Sequence, residues 1–202
     1  MAKQFFLDKR PHNGLSYNLY LDLLKEKIDS TDISTLDSEQ LDKHEKRKLN
    51  YQRSSRINKT YIVNEELSRE LQKIETQQLW MVLSEDWCGD SAQTIPYLVK
   101  MADLNPNIEL RILLRDKNLD IMDLYLTDGN RAIPKLVAFD YIGNELFTWG
   151  PRPYEARQLV NKAKAEGKPK EQFLQELHLW YGRNRGKNLE VEILNIMKNM
   201  NL

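Results

Sequence analysis

The feature that most constrains this chain is the run Leu79-Trp80-Met81-Val82-Leu83. An apolar run with no polar break reads as a strand buried on both faces, so its sheet must be covered on both sides. The neighbouring sequence supplies the cover. Helical patterning runs from Gly89 to Leu104. Ile108-Glu109-Leu110-Arg111-Ile112-Leu113-Leu114 then reads as a strand, and Asp120 to Leu126 as a short helix. Pro134 to Phe139 and Glu145 to Trp149 read as two strands joined by the tight turn Asp140-Tyr141-Ile142-Gly143-Asn144. A helix starts at Pro153, in the first-turn position that proline favours. The order β-α-β-α-β-β-α predicts an α/β fold, a mixed central sheet flanked by helices.

The remainder reads as helix. Leu15, Leu19, Leu21, Leu23, Leu24 and Ile28 form a stripe that fades at Asp29-Ser30-Thr31-Asp32. A charged helix is predicted over Ser38 to Arg56. Another is predicted over Asn64 to Ile74, with Asn64 as N-cap and Glu65-Glu66 in the first turn. From Lys170 two amphipathic helices are expected, broken near Gly182-Arg183-Asn184-Arg185-Gly186. Their stripe of Phe173, Leu174, Leu177, Leu179, Trp180 and Tyr181 reads as core or as a dimer face. The chain therefore divides into a helical N-terminal extension (1–76), a core (77–168) and a C-terminal helical extension (169–202).

Charge and cysteine content narrow the function. The formal net charge of zero gives no global field to attract nucleic acid or an anionic membrane. The basic stretch Lys43-His44-Glu45-Lys46-Arg47-Lys48 reads as a solvated helix face with i,i+4 partners. No apolar run is long enough to span a membrane, and the charged N-terminus is not expected to be a signal peptide. Cys88 is the only cysteine, so neither an intrachain disulfide nor a cysteine-built zinc site can form. A reducing cytoplasm is the expected location. His12, His44 and His178 lie far apart and read as ordinary surface or packing residues, so neither a metal nor a cofactor is expected.

The chemistry concentrates in Ser84-Glu85-Asp86-Trp87-Cys88-Gly89-Asp90-Ser91. After a strand and at a helix start, Cys88 is predicted to be accessible, near unpaired N–H groups and a helix dipole that favour the thiolate. Trp87 is placed to shield the sulfur, and Ser91 to donate a hydrogen bond to it or simply to stabilise the helix start. Asp86 and Asp90 are expected to oppose ionisation by adding nearby negative charge.

These residues resemble the thioredoxin superfamily. Thioredoxins carry Trp-Cys-Gly-Pro-Cys with a proline eight residues after the first cysteine, where this chain has Pro96. They carry a cis-proline in an Ile-Pro step, matched by Ile133-Pro134, and a glycine sixteen residues later that lines the substrate groove, matched by Gly150. The Trp-Cys-Gly-Asp pattern followed by a non-cysteine also resembles a bacterial subgroup of that family. The resemblance implies a thioredoxin-like core, a cis Ile133–Pro134 bond, and a groove flanked by Arg131 and Lys135 with Trp149 nearby. Those two cations are either surface charges or holders of a carboxylate such as that of glutathione. Three departures stand out: Ser91 replaces the resolving cysteine, Asp90 replaces the usual proline, and Val82 stands where thioredoxins bury an aspartate.

Three functions are compatible with this pattern. In the first, a monothiol thiol–disulfide oxidoreductase, Cys88 forms mixed disulfides with protein or glutathione-like partners. The second is a redox-silent binding module that uses the same groove. The third, iron–sulfur cluster carriage as in monothiol glutaredoxins, is disfavoured by Asp90 and by the absence of a glycine pair after the cis-proline strand. The chain is expected to be a monomer or a homodimer.

Overall fold

The computed structural model describes residues 2–200. Its sheet has four strands in the order β2-β1-β3-β4: β1 (Gln78–Ser84), β2 (Ile108–Leu114), β3 (Lys135–Asp140) and β4 (Glu145–Trp149). β1 pairs parallel with β2 and antiparallel with β3, and β3 pairs antiparallel with β4. Every residue of β1 is buried, as its apolar run requires. Its side chains alternate between two cores. Trp80 and Val82 join Leu98, Met101, Ile112, Leu136 and Ala138 on one face. Leu79, Met81 and Leu83 join Val137, Phe139, Ile121 and Cys88 on the other.

Helices α1 (Gln4–Leu7), α2 (Tyr17–Asp29), α3 (Ser38–Thr60), α4 (Glu65–Gln72), α5 (Gly89–Ala102), α6 (Leu119–Met122), α7 (Tyr154–Ala165), α8 (Lys170–Asn184) and α9 (Lys187–Asn199) surround the sheet. The first core takes Tyr17 and Tyr20 from α2, Leu67 and Leu71 from α4, and Ile193 and Met197 from α9. The second takes Phe5 and Phe6 from α1, a short helix that polar neighbours hide from periodicity. Local signals hold where they were strong. Asn64 caps α4, its side chain accepting from Leu67 N at 2.8 Å. Asp37 and Gln40 form a capping box that starts α3. Along α3, Lys43, Lys46 and Lys48 pair with Glu39, Asp42 and Glu45. The helix predicted over Asp120 to Leu126 ends earlier, at Met122, and turns follow it.

Two packings set up the site. α3 lies against α5, where Ser54 donates to the Ala92 carbonyl. α7 and α8 share a third core of Ala156, Val160, Ala163, Phe173, Leu177 and Tyr181, which fixes the α8 face turned toward α5.

Candidate functional site

The chain leaves β1, turns through Glu85 to Trp87, and enters α5 with Cys88 as its N-cap residue. Ile133 and Pro134 precede β3 and are joined by a cis peptide bond; Gly150–Pro151, after β4, is cis as well. Gly150 sits at φ +115°, and a Cβ there would stand 2.3 Å from the Pro134 carbonyl oxygen. Only glycine allows the two loops to meet this closely.

Cys88 is not the accessible thiol expected from a helix start. It is 8% exposed and packs among Met81, Leu83, Ile133 and the partly buried Trp87. Its S–H donates to the Ile133 carbonyl oxygen at 3.4 Å. Burial, and then the Asp90 charge, push the thiol up to about 11; the Ser91 and Asp90 N–H groups pull the other way without prevailing. Ser91 Oγ is itself buried without a hydrogen-bond partner.

The two nearby aspartates have different neighbours. Asp86 is paired with Arg47 Nε at 2.8 Å and Lys27 Nζ at 2.9 Å, while its carbonyl accepts from Asn50. These contacts clamp the motif to α2 and α3. Asp90 is buried. Arg152 lies 2.6 Å from one carboxylate oxygen and Tyr181 Oη donates to the other at 2.8 Å. Burial holds its carboxyl above the usual range, with Arg152 and Tyr181 acting against that rise. Tyr181→Phe deletes a hydrogen bond to a charged group and should cost about 1.5–3 kcal/mol in urea unfolding. An unchanged midpoint would mean that this bond adds nothing to the fold.

A cleft of about 310 Å³ opens beside the sulfur. Of the residues expected to form the site, Trp87, Cys88, Arg131 and Ile133 line it. Ser91, Pro134 and Gly150 do not line it. Arg131 reaches the cleft with its guanidinium already held by Asp123 at 2.6 and 2.8 Å. Lys135 is not there: the residue is buried elsewhere, with its ammonium 3.1 Å from Thr127 Oγ1, because β3 alternation carries the side chain off the cleft. Trp149 is buried and donates to Glu192 at 2.7 Å, away from the cleft lining.

The cleft also contains residues that the sequence had not marked. Arg53 comes from α3, Arg152 from the turn before α7, and His178 from α8. Arg115 stacks over Trp87 with its guanidinium 5.0 Å from the ring centroid. Burial, then the Arg53 and Arg152 charges, hold the His178 imidazole down to about 4. Tyr181 was visible only as part of an apolar stripe, and Arg152 and His178 carried no local signal. Among the described residues no group of three or more His, Cys, Asp or Glu could hold a metal ion, and no helix is long and apolar enough to cross a membrane.

Comparison with known proteins places this geometry in context. A family model described as Thioredoxin matches residues 37–165. The crystal structure of a protein of unknown function from Pseudomonas aeruginosa superposes with a TM-score of 0.55 at 21% identity, over 91% of this chain and 98% of that one. An HIV epitope-scaffold structure superposes with a TM-score of 0.53 at 20% identity, over the same shares of 91% and 98%. At such identities the likeness concerns the fold. No curated protein matches the chain.

Proposed function

We propose, on the premise that this chain belongs to the thioredoxin family, that it acts as a thioredoxin-fold binding module whose lone cysteine rests as a thiol. The observation that carries this reading is the Cys88 S–H, buried and donated to the Ile133 carbonyl. A thiol in that state offers almost no thiolate at neutral pH, and the thiolate is the attacking species. Recognition then falls to the cleft lining, with a partner segment pairing to the backbone at Ile133. A resting thiol of this kind suits a reducing cytoplasm.

A second reading, monothiol thiol–disulfide exchange, has its own support. Cys88 is the N-cap residue of a 14-residue helix, and the groups that favour its thiolate are the Ser91 and Asp90 N–H groups. A partner strand that took over the Ile133 carbonyl would release the S–H. The thiol would then lose its proton to solvent, and the thiolate would attack one sulfur of a protein or glutathione-like disulfide and expel the other as a thiolate. The resulting mixed disulfide would await an external thiol, because the chain has no second cysteine.

The pH dependence of iodoacetamide alkylation separates the two. For the binding module, Cys88 alkylates far more slowly at pH 7 than in the urea-unfolded chain, and the rate still climbs above pH 9, consistent with a thiol near 11. A plateau with a midpoint below the free-cysteine value of about 8.5 supports exchange and overturns the binding reading.

A further inference from the structure

The cleft beside Cys88 carries more positive charge than its own acids neutralise. Lys46, Arg53, Arg115, Arg131, Arg152 and Lys170 line it, against the single carboxylate of Asp90. Four of these six cations have carboxylate partners: Asp42 for Lys46, Asp116 for Arg115, Asp123 for Arg131 and Asp90 for Arg152. Among the described residues Arg53 and Lys170 have none. Arg53 is half-buried, and its Nη1 donates to Asn50 Oδ1 at 3.1 Å.

Two buried nitrogens in the same cleft, Arg152 Nε and His178 Nδ1, have no partner in the protein. Such groups point to a partner supplied from outside. His178 and Arg53 meet at the start of α5 because Gly89 lets them approach. A Cβ on Gly89 would stand 2.8 Å from His178 Cε1 and 3.4 Å from Arg53 Nη1. The Arg53 and Arg152 charges both act on the His178 ring, which places the three side chains in one electrostatic neighbourhood.

We propose that Arg53, Arg152, Lys170 and His178 form a binding site for the phosphate monoester of a small molecule. This goes beyond the binding-module reading, in which a partner segment pairs at Ile133, and adds a small-molecule ligand to the same cleft. The excess of two cations is matched by a phosphate monoester, which carries about −1.5 to −2 charges at pH 7; a carboxylate would leave one cation unmatched. Guanidinium groups offer paired donors to phosphate oxygens. Asp90 does not repel the ligand strongly, since Arg152 and Tyr181 occupy its two oxygens. The volume of about 310 Å³ is at the lower end of small-molecule pockets, enough for a phosphate with a short organic group.

The test is calorimetric titration of the full chain at pH 7.5 and low salt, followed in parallel by the His178 imidazole resonances. The probes are inorganic phosphate, phenyl phosphate and a phosphoserine peptide. The expected result is saturable one-to-one binding of phosphate, tighter binding of phenyl phosphate, and His178 resonances that move over the same concentrations. Arg53→Gln removes no ion pair from the fold and should weaken binding about tenfold or more. Lys43→Gln, on the exposed face of the same helix, should leave it unchanged. An Arg53→Gln affinity within about twofold of wild type, or no saturable binding, overturns the site. A phosphoserine peptide that outbinds phenyl phosphate overturns the small-molecule assignment. Cys88 alkylation reports separately: fast alkylation at pH 7 overturns the binding-module reading, whereas slow alkylation without phosphate binding overturns only this inference.

Discussion

Arg152→Gln is expected to lower the unfolding free energy by about 3 kcal/mol at pH 7.5, because it strands a buried carboxylate. Asp90 would keep only the Tyr181 hydroxyl at 2.8 Å after losing the guanidinium at 2.6 Å. Breaking a fully buried pair costs about 3–5 kcal/mol, and the Arg152 side chain, 24% exposed, puts this site at the low end. The sign of the pH dependence follows from Asp90. Burial already raises its folded-state pKa above the ordinary 3.8, and loss of Arg152, which acts to lower it, raises it further. A group raised on folding favours the fold while protonated and loses that contribution as pH rises through the folded value. The deficit of the variant should therefore be small near pH 4.5 and largest at and above neutrality. Urea unfolding at the two pH values checks this, and an equal deficit at both would show that Asp90 is not the group left behind.

Gly150→Ala should be comparably damaging, by about 2–4 kcal/mol, for a steric reason. The added Cβ would meet the Pro134 carbonyl oxygen at 2.3 Å, and the backbone angle of +115° is one that L side chains rarely adopt. A backbone oxygen cannot swing aside as a side-chain tip can, so the loop carrying Ile133 and Pro134 must move. That loop holds the acceptor of the Cys88 S–H, so alkylation of Cys88 should accelerate along with the loss of stability. Gly129→Ala is the control: it also has positive φ, at +73°, but a Cβ there meets nothing within 4 Å. It should cost only the backbone strain, about 1 kcal/mol. Equal losses in the two variants would remove the contact with Pro134 as the cause.

Much of the fold could be read locally. β2 and β4 have the expected bounds, Ile108–Leu114 and Glu145–Trp149, because their apolar patterns end at polar turns. Asn64 caps α4 and Cys88 opens α5, since N-terminal caps and strand-to-helix turns are written within a few residues. Helix α1 was not legible: four residues show no period, and Phe5 and Phe6 are helical because they dock against Phe139. The assignment of Lys135 to the groove rested on its place beside Pro134. Strand alternation turned it toward Thr127 instead.

From residues alone it follows that this chain builds a mixed sheet covered on both faces, places one cysteine at a helix start, and lacks a second cysteine to resolve it. Those properties depend on residue type and short-range order. The tertiary structure alone decided the state of that cysteine and the character of its surroundings. The acceptor of its S–H lies 45 residues away, and the tyrosine that holds the adjacent Asp90 lies 91 residues from it. Asp86, beside the cysteine in sequence, is turned to Lys27 and Arg47, while Arg53 and His178 are brought over Gly89 from α3 and α8. The physical reason is that a thiol's ionisation depends on solvent exclusion and on charges within a few ångströms, and packing of distant segments sets both.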